Sequence, residues 1–377
     1  MSAAAPASLV ETDDEALLRD AARGFLAGAD PLARLRAMRD EGRATDPELW
    51  REMAAMGWAG VLVDEANGGS AMGHRAAGIL AEEMGRTLAL SPFTSSAVMA
   101  ATALAGRATD RLSAVAAGDL SYAIAVDEGP KHNLATTALA ASRVGNRYRL
   151  DGCKRFVADG GAADRILVLA RTGGSPGGAD GLTVFDLEAD RAGIERTRRD
   201  SIDARDAADI TFNGVEATGD DVLGDEGNGL AAIAPAIRAG QAAVAAELAG
   251  LSAGAFAMTV DYLKDRKQFG VPIGSFQALQ HRAAHLWTHM EVTASAIAHA
   301  GRALDDDADT AQLAVSLAKA RAADTARLAV AEGVQMHGGI GMTDAHNMGF
   351  FVKRARVATE WLGDYGHHAA HVARLRR

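Results

Sequence analysis

A single acid in an apolar stretch is the feature of this sequence best suited to chemistry. Between Arg238 and Asp261 the only ionisable side chain is Glu247, and Gly240, Ala243, Gly250 and Gly254, on its side of a helix, carry no bulk. Such a face leaves a shallow slot for a flat ligand beside a carboxylate whose pKa desolvation raises, as suits a general base. The same pattern also describes a structural helix, in which the glycines allow close packing and Glu247 pairs with an arginine or faces water.

A second candidate is RKQFGVPIGSFQALQ, from Arg266 to Gln280. Arg266 stands at a helix end, where a guanidinium fork can reach a pyrophosphate, and Gln277 opens the next helix, where its amide can bond a ligand's polar edge. An ordinary helix turn with a surface arginine has the same pattern. A third candidate is QMHGGIGMTD, from Gln335 to Asp344. Gly338, Gly339 and Gly341 lack Cβ atoms, so the backbone can approach a nucleotide there, although many helices end in this way. His281, His285 and His289 recur every fourth position, as do His367 and His371. No carboxylate joins the first three at ligand spacing and no His-Glu-x-x-His occurs, so no metal is expected.

The elements that must position these residues follow from hydrophobic period. From Asp13 to about Gly118 apolar residues fall three and four apart, the mark of helices. Between about Leu120 and Gly224 the period becomes two, in YAIAV, RYRL, RILVLA, LTVFDL and ADITF, and Asp151-Gly152 reads as a two-residue hairpin turn. Long helices return after Gly229: one from about Leu230 to Lys267, capped by Gly270 and stopped by Pro272, then Phe276–Asp305, Thr310–His337 and the last thirty residues. The boundaries expected are 1–118 for an N-terminal helical domain, 119–225 for a β domain and 226–377 for a helical bundle.

The 377 residues suffice for two or three domains at roughly 100 to 200 residues each. With 39 Lys+Arg against 49 Asp+Glu the net charge is −10, and no basic block offsets it, so nucleic acid is not an expected partner. A lone Cys153 makes no internal disulfide, and the acidic N-terminus does not read as a signal peptide, so a cytoplasmic protein is expected. The longest apolar stretch, Ala239 to Val260, is mostly Ala and Gly and is interrupted by Gln241 and Glu247, so no membrane association is expected.

Taken in order, six segments resemble the acyl-CoA dehydrogenase family over nearly the whole chain. VDEANGGSAMG followed by AEEMGRTLALSPF is similar to the family's Pro-Glu-x-x-Gly-Gly turn and the helix after it. SYAIAVDE and GCKRFVADGGAADRILVLART resemble its two flavin-flanking strands, and FNGVEATGDDVLGDEGNG the passage into the second helical domain. RKQFGVPIGSFQALQ and QMHGGIGMT are the most specific matches. The resemblance implies an α+β fold with an N-terminal α-helical domain, a middle β-barrel or sandwich domain and a C-terminal four-helix bundle. It also implies FAD, an acyl-CoA substrate and an electron-transferring flavoprotein as acceptor, with oxygen as a rival oxidant.

Carried over residue by residue, the resemblance implies that Arg266 and Gln277 contact the FAD diphosphate and adenosine side. Gln335, Gly338 and Gly339 would bind the adenosine part of an FAD shared across a dimer. Phe156 and Ala158 stand where the family usually has Trp and Thr against the isoalloxazine, and Val126 where a Thr often lies. These departures remove hydroxyl donors, although backbone N–H groups at the same places can serve. The family's catalytic Glu in a Tyr-Glu-Gly-Thr stretch falls here on Leu362 of Trp361-Leu362-Gly363-Asp364, and the alternative position, twenty-six residues before the Arg, falls on Gly240. Neither accepts a proton. Glu247, nineteen residues ahead of Arg266, matches a placement in bacterial members that act on steroid side chains and dicarboxylic acyl-CoAs. It is the expected base, with Glu360 and Asp364 as fallbacks. The thioester oxygen would meet the flavin ribityl hydroxyl and the backbone N–H of Leu362. The implied assembly is a homodimer or homotetramer, or a heterotetramer in which this chain is a non-catalytic or half-catalytic subunit.

Overall fold

The computed structural model describes residues 9–107 and 109–376. Eleven α-helices and ten strands occur among them. Six helices precede the sheet: α1 (Asp13–Ala29), α2 (Pro31–Asp40), α3 (Pro47–Ala55), α4 (Gly73–Thr87), α5 (Ala101–Leu104) and α6 (Thr109–Ala117). Five follow it: α7 (Gly229–Asp265), α8 (Gln277–Asp305), α9 (Ala311–His337), α10 (Met348–Glu360) and α11 (Tyr365–Leu375). Two compact units result, one made of the described part of Met1–Ala37 with Gly73–Ala89 and Gln241–Arg377, the other of Met38–Met72 and Leu90–Gly240.

The second unit holds β1 (Tyr122–Ala125), β2 (Ala140–Val144), β3 (Arg147–Ala158), β4 (Arg165–Arg171), β5 (Leu182–Glu188), β6 (Ile194–Arg198), β7 (Ala207–Thr218) and β8 (Val222–Leu223). They form one 8-stranded mixed sheet in the order β6-β7-β3-β2-β4-β5-β8, with β1 parallel to β4 at its side. Leu150, Ile166, Val168, Phe185 and Ile210 form its fully buried core. The hairpin expected at Asp151-Gly152 lies elsewhere: Val144 pairs with Arg147, so Gly145-Asn146 is the two-residue turn between β2 and β3. Gly152, at φ +147°, instead sits where β3 shifts register against β7. A glycine inside an alternating run marks such an irregularity as readily as it marks a turn.

In the first unit, Thr12 and Glu15 start α1 with a reciprocal capping box. Next, α4 lies against α7 at backbone distance. A Cβ on Gly250 would stand 1.7 Å from the Glu82 carbonyl oxygen, one on Gly254 2.3 Å from that of Arg86, and one on Gly85 2.1 Å from that of Glu247. The slot expected beside Glu247 at Gly250 and Gly254 is therefore filled by the α4 backbone, and this is the close packing that a structural reading of those glycines required. Among the described residues α7 is the one helix long and apolar enough to cross a membrane, and 61% of its most apolar window is buried inside the protein.

At its far end α7 stops at Asp265, before the expected glycine cap. Phe269 and Gly270, at φ +53° and +81°, turn a short hairpin between β9 (Lys267–Gln268) and β10 (Val271–Pro272). The last thirty residues hold two helices, because Leu362 and Gly363 take φ +58° and +107° and end α10. Gly250→Ala is expected to lower stability by about 1–3 kcal/mol or more through overpacking, read as a lower urea midpoint; an unchanged midpoint would contradict the close α4–α7 approach.

Candidate active site

Glu247 is 4% exposed on α7. Its two oxygens accept from Arg354 Nε and Nη2 on α10, each at 2.7 Å, and Arg354 is 4% exposed. This is a bidentate pair, the geometry in which guanidinium and carboxylate match best. The structure thus supplies the arginine partner that the structural reading of Glu247 called for.

A second buried cation lies close by. Lys319, on α9, is fully buried, and its Nζ donates to the carbonyls of Ala358 (3.2 Å), Thr359 (3.2 Å) and Gly363 (3.1 Å). Burial pushes its ammonium down to about 7, while Glu360, Asp364 and Glu247 act against that and Arg354 adds to it. All four are therefore within electrostatic reach of one amine, which draws Glu247, Arg354, Glu360 and Asp364 into one cluster.

Between α10 and α11 runs Trp361–Asp364. The Leu362 carbonyl accepts from Gln241 Nε2 of α7 and from His368 Nε2 of α11, both at 3.1 Å. Since a carbonyl has no proton to give, His368 carries its hydrogen on Nε2. Gly363 must be small here, for its Cβ would lie 2.8 Å from that same Nε2. Leu362 is 3% exposed, and among the described residues no acceptor takes its N–H. The two fallback acids have other partners: Asp364 caps α11 through the His367 N–H at 2.8 Å, and Glu360 pairs with Arg356 at 3.0 Å. Both line a groove of about 870 Å³ between α9 and α10.

The residues expected to hold FAD lie in two places. Arg266 closes α7, Gln277 opens α8, and Gln335, Gly338 and Gly339 end α9, all five exposed. The α7 and α9 ends meet through Tyr262 and His337, whose ring centroids are 4.6 Å apart. Nothing stands within 4 Å of a Cβ built on Gly338 or Gly339, and Gly338 has φ +64°. Beside them His337 Nε2 is buried without a partner among the described residues. Open glycine backbone next to an orphaned acceptor fits the close approach of a dinucleotide.

Val126, Phe156 and Ala158 belong to the sheet unit. The Val126 carbonyl accepts from buried Lys154 at 3.0 Å, and the Phe156 N–H already donates to Asp209 at 3.0 Å. Ala158 pairs with Ala207 of β7. Of the backbone donors offered in place of the lost hydroxyls, the one at Phe156 is thus engaged. The Phe156 ring is 67% exposed, with the Arg199 guanidinium 5.8 Å from its centroid.

Sequence reasoning missed Arg354, Lys319, Gln241 and His368. Gln241 broke an apolar stretch, which is a signal of a kind; nothing near Lys319, in LAKAR, or near Arg354, in KRARV, marks them.

Residues 12–113, 128–215 and 227–375 match the N-terminal, middle and C-terminal domain models of acyl-CoA dehydrogenase. The chain belongs to the acyl-CoA dehydrogenase family, whose cofactor is FAD. It is 31% identical over 232 residues to the mitochondrial short/branched chain specific acyl-CoA dehydrogenase of Rattus norvegicus, across 59% of this chain and 52% of that protein. Among solved structures, a steroid acyl-CoA dehydrogenase, the Tcur3481-Tcur3483 pair, is 30% identical with TM-score 0.86, covering 97% of this chain and 98% of that one. Butyryl-CoA dehydrogenase of Megasphaera elsdenii shares the fold at TM-score 0.91 and 23% identity, covering 98% of this chain and 100% of that one.

Arg354→Met is expected to cost about 3–5 kcal/mol by stranding a buried carboxylate, and Glu247→Leu/Arg354→Met to recover most of it; equal losses in the single and double variants, read by urea unfolding, would contradict the coupling. Lys319 generates a pH signature. A lysine amine that titrates at 10.5 in the unfolded chain falls to about 7 on folding, so between those values the unfolded chain holds the extra proton and stability rises with pH. The stability difference between the natural protein and Lys319→Met should therefore grow in favour of the natural protein from pH 7 to pH 9, and a flat difference would contradict a depressed amine.

Proposed function

We propose that this chain carries out FAD-dependent α,β-dehydrogenation of an acyl-CoA thioester, with Glu247 as the base and an electron-transferring flavoprotein as acceptor. The observation that carries the reading is a buried carboxylate clustered with a loop whose Leu362 N–H has no acceptor among the described residues. When bound, FAD supplies the hydride acceptor. Arg266 and Gln277 would hold its diphosphate and adenosine side, and Gln335, Gly338 and Gly339 the adenosine part across a subunit boundary.

Glu247 removes the α-proton, with its carboxylate held in direction by the Arg354 fork. A bidentate guanidinium favours the charged carboxylate, so Glu247 needs help from the far end of the thioester. The Leu362 N–H gives it by bonding the oxygen on which enolate charge develops; a preorganised donor of this kind is worth about 3–4 kcal/mol. As the α-proton goes to Glu247, the β-hydrogen leaves with its electron pair as hydride, and the Cα–Cβ double bond forms. Burial of both Glu247 and Leu362 keeps water from competing for the proton and the oxygen.

A second reading is favoured by the β unit. With Val126 and Ala158 lacking hydroxyls and the Phe156 N–H engaged by Asp209, this chain suits a subunit that works beside a second acyl-CoA dehydrogenase chain. The Tcur3481-Tcur3483 steroid acyl-CoA dehydrogenase carries two chain names.

The test is flavin colour. Protein purified alone should be yellow and bleach anaerobically on a member of an acyl-CoA panel spanning short-chain, dicarboxylic and steroid-side-chain thioesters. Glu247→Gln should keep its FAD and bind the same ligand yet bleach at least 100-fold more slowly, while Asp364→Asn, which keeps the α11 cap, should retain most activity. Unchanged turnover in Glu247→Gln would remove Glu247 from the reaction. Colourless protein that gains FAD only with a co-expressed second chain would establish the subunit reading.

A further inference from the structure

We propose that Gln241, His368 and Lys319 are positioning residues that aim the Leu362 N–H at the thioester oxygen, an inference that rests on the dehydrogenation reading above. The reasoning starts from where that N–H sits in the chain. It belongs to the peptide between Trp361 and Leu362, in a four-residue break with no helix or strand to set its direction. Leu362 holds φ +58°, a region that a residue with a branched side chain avoids unless its surroundings impose it.

The surroundings do impose it, from both sides. Before the break, the Trp361 N–H is tied to the Val357 carbonyl at 3.2 Å, as the last turn of α10. After it, the Leu362 carbonyl takes two donors, Gln241 Nε2 and His368 Nε2, and the Gly363 carbonyl takes Lys319 Nζ. Lys319 also holds the carbonyls of Ala358 and Thr359, so one ammonium clamps the end of α10 to the start of the next segment. With the peptides on either side tied down, the Leu362 N–H between them loses most of its freedom to reorient. All three donors are buried, at 4% for Gln241 and 0% for His368 and Lys319, so water does not substitute for them. They come from three helices, α7, α11 and α9, and two of these flank the break without being adjacent to it in sequence.

The same geometry separates this role from mere packing. Three donors spent on two neighbouring carbonyls exceed what the loop needs to satisfy its polar groups, since one bond each would do. The surplus fixes orientation. A donor in an oxyanion site acts only when it already points at the place where charge develops, and a loss of aim is felt in the enolate more than in the bound thioester.

The experiment uses FAD-loaded protein and 3,3-dimethylbutanoyl-CoA, a thioester with α-hydrogens and no β-hydrogen, so that only proton removal can proceed. Exchange of its α-protons in D₂O, followed by mass spectrometry, reports enolate stabilisation apart from hydride transfer. Affinity for the matching thioether, 3,3-dimethylbutyl-CoA, which lacks the carbonyl, reports the intactness of the pocket. Gln241→Met keeps the side chain's length and removes its donor; exchange should fall about 10- to 100-fold, with thioether affinity and FAD content unchanged. Lys319→Met should act in the same direction, and Gln241→Met carries the test if that variant does not fold. Exchange in Gln241→Met within twofold of the natural protein, with the natural protein exchanging well, overturns the positioning role and leaves the dehydrogenation reading standing. No exchange in the natural FAD-loaded protein overturns both.

Discussion

One buried ammonium decides whether α10 can end where it does. The last carbonyls of any helix lack partners within the helix, and an end placed inside a protein must find donors for them elsewhere. Lys319 brings its Nζ to two of those carbonyls, at Ala358 and Thr359, and to Gly363 beyond them. The dependence is mutual, because an ammonium that is fully buried needs those acceptors as much as they need it. Without it the chain would have to carry α10 onward or expose its end to water. Either course would abolish the left-handed turn at Leu362 and the break on which the site is built.

Close packing of α4 on α7 does a second job in the same unit. Glycines at 85, 250 and 254 let two backbones meet where no side chain fits, and this removes water from the α7 segment that carries Glu247. In that dry setting the Arg354 fork on Glu247 is strong, since Coulomb attraction grows as the effective dielectric falls. It is also obligatory, since a lone buried charge would be costly. The glycine stripe is therefore structural in its contacts, and its consequence for Glu247 is electrostatic. Of the two readings of the α7 pattern, these contacts are those of the structural one: glycines that pack helices, and a carboxylate paired with an arginine.

Element types and order were legible because they follow from period. A switch from helical spacing to alternation near Leu120 and back near Gly229 is written in every few residues, and the long helices α7, α8 and α9 lie within two residues of where spacing puts them. The failures were local and of one kind. Gly152 and Gly270 were each assigned a turn or cap that glycine allows but does not require, and the partner strand or the neighbouring hairpin decided otherwise. The split between α10 and α11 was invisible because Leu362 in the left-handed region contradicts its own preference, and only distant residues enforce it. Of the site, Glu247 stood out because isolation among apolar neighbours is a property of the local sequence. Arg354 lies 107 residues away and Gln241 lies 121 residues from the carbonyl it bonds, and no single sequence records such pairings.

Side-chain and backbone donors have different fates when a residue is replaced. Where the relatives usually place a hydroxyl, Val126 and Ala158 have none, and nothing in the backbone restores a side-chain donor once its atoms are gone. Leu362 is another case. Its N–H is common to every residue but proline, so replacing a family glutamate there deletes a proton acceptor and leaves the donor in place. Gln241, His368 and Lys319 bond the carbonyls of Leu362 and Gly363, groups that any residue also possesses, so these contacts do not depend on the side chain at 362. Position 362 must keep a backbone N–H and accept φ +58°, which excludes proline and disfavours β-branched residues.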